Sequence, residues 1–307
     1  MSAIKTWRDY YDHAQLSPFD VRSGCEPRFM VNEPVNEGKP TNAIVLVHGL
    51  TDSPYFMEAV GCYFHEVMGF NVYIPLLTGH GLNEPNGMRG VTLQQWLADV
   101  DFAIDCAHAA GDNVTVSIGG LSTGGALSVD RAFHLPDRIT GAVFLFSAAL
   151  DLAGKYGHFE GDLKEFFLRL DPLTAVLGSI EDKKPLLGCN PYRYARMDLH
   201  GATQLATLLG ELDRHLAEAR LRQPLFAAHS AADTTADIAG IEKLVHCCAT
   251  STFFCLSQEE NVPHASVVLQ QDLRARDGSV LETKNPLFLT MMATARQFAK
   301  QHLANVT

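Results

Sequence analysis

The chain has 307 residues and a formal net charge of −11, and it is 47% hydrophobic and 19% charged. This composition supplies enough apolar residues for a large buried core, and no basic cluster offers a surface for nucleic acid or anionic lipid. The longest apolar run, residues 142–150, is much shorter than the roughly 20 residues of a membrane-spanning helix, so no stable membrane insertion is expected.

The N-terminal segment is mixed polar with a helical spacing of apolar residues, and it lacks the apolar core of a signal peptide. The seven cysteines form no CxxC pair, which is typical of reduced thiols buried as small apolar side chains. We therefore expect a cytoplasmic protein. The spacing of histidines and cysteines does not indicate a metal site, and the sequence has no glycine-rich nucleotide motif that would indicate an organic cofactor.

Six near-continuous apolar runs predict strands that are covered on both faces, as in a parallel sheet. Helical patterns alternate with them, and Ser53 is expected to cap the first of these helices. The alternation predicts a doubly wound, mostly parallel α/β fold. The predicted strands are residues 43–48, 71–76, 113–118, 139–147, 224–229 and 251–256, and the helices are 54–68, 93–109 and 124–133.

Residues 151–223 break this rhythm, because they contain helical patterns and no convincing strand. Two apolar stripes mark the helices, one over residues 163–170 and one over residues 205–216. We interpret the segment as a helical cap inserted into a core made of residues 1–150 and 224–307. Ordinary crossover helices are the alternative, although such connections are normally much shorter.

The sequence GLSTG at residues 120–124 fits the pattern G-x-S-x-G between a predicted strand and a predicted helix. Glycines at a sharp strand-to-helix turn avoid steric clashes, and the turn lifts the serine hydroxyl clear of the sheet. Ser122 is therefore the candidate nucleophile. The alternative, a glycine-rich turn that binds phosphate, has neither a GxGxxG motif nor a Walker lysine to support it.

A serine nucleophile needs a base, and the base needs an acid that orients it. Asp233 follows the strand 224–229, and His264 lies in the loop after the strand 251–256, so both come at carboxyl ends of strands. A helix-capping role is the alternative for Asp233, and Asp237 is the reserve acid. His246 is the rival base, but it precedes its strand and should lie at the opposite edge of the sheet.

Acyl transfer also requires hydrogen-bond donors for the developing oxyanion. The backbone N–H of Thr123, directly after the nucleophile, is one candidate. The backbone N–H of Leu50 is the other, because Gly49 in the sequence VHGLTDSP lets the chain turn after an early strand. His48 is expected to form structural hydrogen bonds here.

These motifs resemble those of α/β-hydrolases of the carboxylesterase and monoacylglycerol-lipase-like group. The resemblance rests on HGLTDSP, LLTGHG, TLQQWLADV, GLSTGG, HSAAD and NVPH, which recur in the expected order over residues 43–264. It implies the α/β-hydrolase fold, a triad of Ser122, Asp233 and His264, an oxyanion hole from the amides of Leu50 and Thr123, and a cap over an acyl pocket.

We therefore expect a serine carboxylic ester hydrolase that cleaves short- to medium-chain acyl esters or monoacylglycerols through an acyl-enzyme. A thioesterase, an amidase or a C–C bond hydrolase on the same scaffold is one alternative, because this fold supports many chemistries. A non-catalytic binding protein with a hydrolase fold is another. The expected partner is a small acyl ester, and the sequence leaves homo-oligomerisation open.

Overall fold

The computed structural model describes residue 17 and residues 20–32, 41–84, 87–111, 113–151, 190–195 and 198–307. The helical pattern near the N-terminus, the apolar stripe over residues 163–170 and most of the predicted cap lie outside these residues. The extent of the cap therefore stays a prediction.

The described chain alternates strands and helices for most of its length. The strands are β1 (Arg28–Met30), β2 (Thr41–Val47), β3 (Asn71–Ile74), β4 (Val114–Leu121), β5 (Val143–Phe146), β6 (Leu225–Ser230), β7 (Ser251–Leu256), β8 (Leu273–Arg274) and β9 (Val280–Glu282). The α-helices are α1 (Tyr55–Cys62), α2 (Leu93–His108), α3 (Thr123–His134), α4 (Leu199–Glu218), α5 (Ile238–Cys247) and α6 (Phe288–His302). A π-helical turn (Tyr63–Val67) continues α1, and a short 3₁₀ helix spans His264–Val268.

Seven strands form one sheet in the order β1-β3-β2-β4-β5-β6-β7, and all neighbours are parallel except β1 and β3. This arrangement confirms the doubly wound, mostly parallel α/β sheet. Because the strands are parallel, β2, β4, β6 and β7 all present their carboxyl ends at one edge of the sheet. That edge is where the predicted functional residues follow their strands.

Both faces of β2 to β6 are largely buried, as the near-continuous apolar runs predicted, but β7 is an edge strand in which only Leu256 is buried, so the same prediction is wrong for residues 251–256. Along β2, Val45 packs in one core cluster with α2, α3 and α4, whereas Ile44 and Leu46 pack in a second cluster with α1 and α6. The period of two along a strand sends alternate side chains to opposite layers. The sheet is thus held rigidly between helices, and its edge can position reactive groups.

The apolar stripe of α4 belongs to the core. Its leucines are buried in the same cluster as the apolar residues of α3, and the two helices pack against each other. They are Leu205, Leu208, Leu209, Leu212 and Leu216. Their burial supplies apolar packing between α3 and α4.

Two local expectations differ from the structure. Ser53 does not cap α1, since the N-cap is Pro54 and the Ser53 hydroxyl instead donates to the Tyr192 carbonyl at 2.8 Å. The strand predicted over residues 139–147 is regular only over β5. Before β5, the side chains of Thr140 and Ser117 accept backbone N–H groups of the opposite segment, which replaces the regular ladder.

Among the described helices, none combines the length and the apolar character that crossing a bilayer requires.

Candidate active site

Ser122 occupies the sharp turn between β4 and α3. Its backbone has φ 53° and ψ −120°, a left-handed conformation that non-glycine residues rarely adopt and that strains the chain. A Cβ atom at Gly124 would lie 2.1 Å from the Val47 carbonyl oxygen, and one at Gly120 would lie 2.4 Å from the same atom. Both glycines are therefore needed for the turn to pack against the end of β2.

The turn is fixed by backbone hydrogen bonds on both sides of Ser122. Its N–H donates to the Phe146 carbonyl at 3.2 Å, and its own carbonyl accepts from the N–H groups of Ala126 and Ala149. The serine itself is 8% exposed. The strain at this residue is thus held in place by the neighbouring strand β5 and by the first turn of α3.

Asp233 and His264 are brought together at the same edge of the sheet. Asp233 Oδ2 lies 2.6 Å from His264 Nδ1, and the aspartate side chain is fully buried. The other oxygen, Oδ1, accepts the backbone N–H groups of Thr235 and Ala236. One carboxylate therefore orders its own loop and also orients the imidazole.

The charge on Asp233 is stabilised in this setting. Burial by itself raises the pKa of a carboxyl group, but attraction to His264 and the hydrogen bond from its ring outweigh burial and lower the pKa of Asp233. A second histidine, His229 at the end of β6, places Nε2 3.5 Å from Asp233 Oδ2 and 3.2 Å from the Ala236 carbonyl. Burial lowers the pKa of His229, which favours the neutral form of this ring.

His229 is the first residue of the motif HSAAD, but the sequence analysis assigns a role only to Asp233 in that motif. A usable signal is present, because His229 stands four residues before Asp233 at the end of the same strand. A histidine at that position can reach back to the carboxylate across the loop.

His264 Nε2, the ring nitrogen that a general base would use, is buried and has no hydrogen-bond partner among the described residues. The described side chains form no direct hydrogen bond between His264 and Ser122. Hydrogen bonds of this kind are often long before substrate binds and tighten in the complex. No donor among the described residues therefore competes with the Ser122 hydroxyl for His264 Nε2.

The loop between β2 and α1, residues 48–54, lies beside the serine. A Cβ atom at Gly49 would be 3.4 Å from Ser122 Cβ, which places the Gly49–Leu50 peptide next to the turn at Ser122. Leu50 is buried, and the described residues offer no hydrogen-bond acceptor to its backbone N–H or to that of Thr123. Two backbone donors are thus present at this corner.

Two buried histidines hold the β2–α1 loop. His48 Nε2 accepts the Leu77 N–H, so its Nδ1–H donates to the Gly49 carbonyl at 2.9 Å, which confirms the structural role expected for this residue. His80 Nε2 lies 2.6 Å from the Leu50 carbonyl. Burial lowers the pKa of His48 to about 4 and that of His80 to about 3, so both rings are neutral at pH 7.

The two rival residues lie elsewhere. Asp237 is the N-cap of α5, where its carboxylate accepts the Ala239 N–H at 2.9 Å. His246 is exposed in the last turn of α5, with Nδ1 2.6 Å from the Glu242 carbonyl. Neither residue is hydrogen-bonded to Asp233 or His264 in the part of the chain that the structure describes.

No group of three or more histidine, cysteine, aspartate or glutamate side chains with metal-binding geometry occurs among the described residues. The arrangement instead combines a strained serine, a carboxylate–imidazole pair and two backbone donors. Chemically, this set can activate a hydroxyl group and stabilise a negatively charged tetrahedral centre.

Comparison with known proteins also relates the chain to hydrolases. The family model described as "Serine aminopeptidase, S33" matches residues 38–256, which is more than two thirds of the chain. A curated relative, the thermostable monoacylglycerol lipase of Bacillus sp. (strain H-257), is 33% identical over 134 residues. That alignment covers 44% of this chain and 48% of the relative, so the match spans about half the length of that protein.

Solved structures share the fold over most of the chain at low sequence identity. A structure from a study of LipS and LipT, two metagenome-derived lipolytic enzymes, has a TM-score of 0.67 at 20% identity and covers 92% of this chain and 100% of its own. A soluble variant of the monoglyceride lipase of Saccharomyces cerevisiae, in complex with a substrate analogue, has a TM-score of 0.63 at 14% identity and covers 91% of each chain.

Proposed function

Because the chain belongs to the S33 serine aminopeptidase family of α/β-hydrolases, we propose that it is a serine hydrolase that cleaves carboxylic esters through an acyl-enzyme on Ser122. The observation that carries the proposal is the buried Asp233–His264 pair, whose Nε2 is without a partner among the described residues at the sheet edge where Ser122 stands. This pair supplies the oriented base that a serine hydroxyl requires.

In the proposed reaction, His264 Nε2 takes the proton of the Ser122 hydroxyl as its Oγ attacks the ester carbonyl. The N–H groups of Leu50 and Thr123 stabilise the oxyanion, and Asp233 stabilises the imidazolium that forms. Collapse of the tetrahedral centre breaks the ester C–O bond, and His264 returns the proton to the leaving alcohol. Water, deprotonated by the same nitrogen, then attacks the acyl carbon. The bond from that carbon to Ser122 Oγ breaks, His264 returns the proton to the serine oxygen, and the acid leaves.

For the substrate, we propose short- to medium-chain acyl esters or monoacylglycerols. The 33% identity to a monoacylglycerol lipase supports this class, whereas the family description favours the amide bond of an amino-terminal residue. Each methylene buried in an acyl pocket contributes about 0.8 kcal/mol, so kcat/KM should rise with acyl length until such a pocket is full. The predicted cap, residues 151–223, is the proposed source of part of that pocket.

The test compares the wild type with Ser122→Ala on a panel of nitrophenyl esters, monoacylglycerols, thioesters and aminoacyl amides. We expect ester turnover that peaks at short or medium acyl chains. In Ser122→Ala, turnover and covalent labelling by a fluorophosphonate probe should both be lost, because removing the nucleophile typically costs several orders of magnitude in kcat. Circular dichroism should show that the variant remains folded.

The outcomes separate the alternatives. Labelling with preferred turnover of amides or thioesters would replace the ester assignment and keep the nucleophile. A wild type that neither labels nor turns over any member of the panel would favour a non-catalytic binding protein. Full activity in Ser122→Ala would remove this serine from the mechanism.

A further inference from the structure

Three consecutive residues, Tyr192–Tyr194, hold the β2–α1 loop along its length. The Tyr194 N–H donates to the Thr51 carbonyl at 2.8 Å, and the Tyr192 carbonyl accepts the Ser53 hydroxyl, also at 2.8 Å. The Tyr192 ring stacks on Tyr55 at the start of α1, with 3.7 Å between the ring centres. The loop that carries the Leu50 N–H is therefore held by Tyr192–Tyr194, a segment far away in the sequence. We call this set of contacts the clamp.

Arg193 makes the charged contact in this clamp. Its Nε and Nη2 lie 2.9 and 2.8 Å from the same oxygen, Asp52 Oδ1, and its Nη1 lies 3.0 Å from Glu282 Oε1 on β9. The guanidinium carbon is 4.4 Å from the centre of the Phe56 ring, and only 12% of the arginine side chain is exposed. Asn190 donates to the same glutamate oxygen at 2.6 Å.

Asp52 in turn lies against the peptide that joins Gly49 and Leu50. Its N–H donates to the Gly49 carbonyl at 3.2 Å, which closes the turn. A Cβ atom at Gly49 would lie only 2.4 Å from Asp52 Oδ2, so this carboxylate oxygen fills the space beside Gly49. The position of the Asp52 side chain therefore constrains the Gly49–Leu50 peptide, which lies next to Ser122.

The charges make Arg193 hard to replace. Asp52 is buried and Glu282 is partly buried, with 6% and 14% of their side chains exposed, and both carboxylates contact one guanidinium. Burial raises the pKa of Glu282, and attraction to Arg193 opposes that shift. Without the arginine, the two carboxylates would lose their shared cation, and the Asp52 side chain would have to move toward solvent.

We propose that Arg193 is a positioning residue for the oxyanion hole, and that it acts by fixing Asp52 and thereby the Leu50 N–H beside Ser122. The inference rests on the proposed function, because it concerns how that hydrolase site is held. Preorganised donors stabilise the transition state strongly only when their geometry is fixed, and a misplacement of about 1 Å can cost about 10²-fold in rate.

The experiment measures kcat and KM of Arg193→Met, Arg193→Lys and Asp52→Asn with the best ester of the panel. Arg193→Met should lower kcat about 10- to 100-fold with little change in KM, because the oxyanion forms only after substrate binds. Arg193→Lys should recover part of the loss, because lysine keeps the positive charge. The recovery should be incomplete, because lysine lacks the two adjacent N–H donors of the guanidinium. Arg193→Met combined with Asp52→Asn should lose little more than either single variant, because both break one link.

A second readout separates positioning from general destabilisation. A trifluoromethyl ketone that forms a tetrahedral adduct with Ser122 should bind Arg193→Met more weakly by about the factor lost in kcat, whereas the free alcohol product should bind as before. The matched control is Arg131→Met. Arg131 has the same 12% side-chain exposure and pairs with Asp101 and Asp130, but it lies near the far end of α3. This control should lose stability and keep kcat.

Equal kcat in Arg193→Met and the wild type would overturn the inference and leave the proposed function standing. The inference also fails if Arg131→Met loses as much kcat, or if the ketone binds Arg193→Met as tightly as the wild type. If Arg193→Met does not fold, the same comparisons are made with Arg193→Lys and Asp52→Asn. A wild type without ester turnover or probe labelling would instead refute the proposed function itself.

Discussion

At the scale of single residues, Asp233 shows how one side chain serves two needs. Oδ1 accepts two backbone N–H groups of the following loop, and Oδ2 faces His264. On the sequence alone, a capping aspartate and a catalytic acid are alternatives, but the geometry combines a loop-ordering role with contact to the imidazole. Because its own loop already fixes this carboxylate, orienting the imidazole costs little additional side-chain conformational entropy.

The different contacts of the two carboxylate oxygens give a prediction for Asp233→Asn. Asn keeps an acceptor for the loop but removes the charge and favours the wrong tautomer of His264, so we expect kcat to fall by up to about 10⁴-fold while the fold persists. Steady-state kinetics and circular dichroism are the measurements.

The matched control is Asp237→Asn, four residues further along the chain. Asp237 caps α5, and asparagine is an equally good N-cap residue, so this variant should keep both stability and activity. If Asp237→Asn lost activity and Asp233→Asn did not, the acid of the proposed triad would have to be reassigned.

Sequence patterns predict those candidate site residues that are marked by the chain next to them. Ser122 is bracketed by glycines, and Asp233 and His264 each follow an apolar strand. Arg193 has no such signal, because its partner Asp52 is 141 residues away and only the tertiary structure joins them. A single sequence shows local patterns, so long-range ion pairs of this kind are the part that it does not reveal.

At the scale of elements, the turn at Ser122 depends on how closely α3 approaches β2. The backbone of Gly124 lies so near Val47 that no side chain fits between them.

Close packing of helices on the sheet also explains why apolar runs predict the central strands. The same pattern does not predict β1. A three-residue edge strand is too short to show a pattern, and its antiparallel pairing with β3 follows from tertiary contacts.

We therefore predict that Gly124→Ala destabilises the protein by at least about 1–3 kcal/mol, the usual cost of forcing extra atoms into a packed site. The added methyl group would meet the Val47 carbonyl at 2.1 Å. Urea denaturation at pH 7 measures the change in the free energy of unfolding, and ester turnover should fall with it as the turn is displaced.

Gly111→Ala is the matched substitution at a loop glycine. Its new Cβ would meet only Val114 Cγ2, at an ordinary contact distance of 3.6 Å, so stability and turnover should be unchanged. Similar losses in the two variants would show that close packing against β2 is not what the glycine at residue 124 provides.

At the scale of the whole molecule, the buried histidines make stability depend on pH. His48 and His80 have folded-state pKa values of about 4 and about 3, against an ordinary value of 6.5. Between pH 6.5 and about 4 the unfolded chain therefore binds protons that the folded chain does not. Stability is greatest above this window and falls as the pH is lowered through it, by about 1.4 kcal/mol per pH unit for each histidine.

The prediction is a lower free energy of unfolding at pH 5 than at pH 7, measured by urea denaturation. His48→Gln should be less stable at pH 7, but its loss between the two pH values should be smaller than that of the wild type by about 2 kcal/mol. His246→Gln, at an exposed position, should leave the loss unchanged. A wild type equally stable at both pH values would contradict the assignment of neutral, buried rings.

The clamp between Tyr192–Tyr194 and the β2–α1 loop also has a consequence for synthesis on the ribosome. The loop is translated early, but Arg193 is made 141 residues after Asp52, and Asp233 and His264 emerge later still. Domains acquire their contacts as the chain leaves the ribosome. On the proposed mechanism, a nascent chain that has emerged past Ser122 still lacks the base His264 and the contact that fixes the Leu50 N–H, so we expect no ester hydrolysis before His264 has been made.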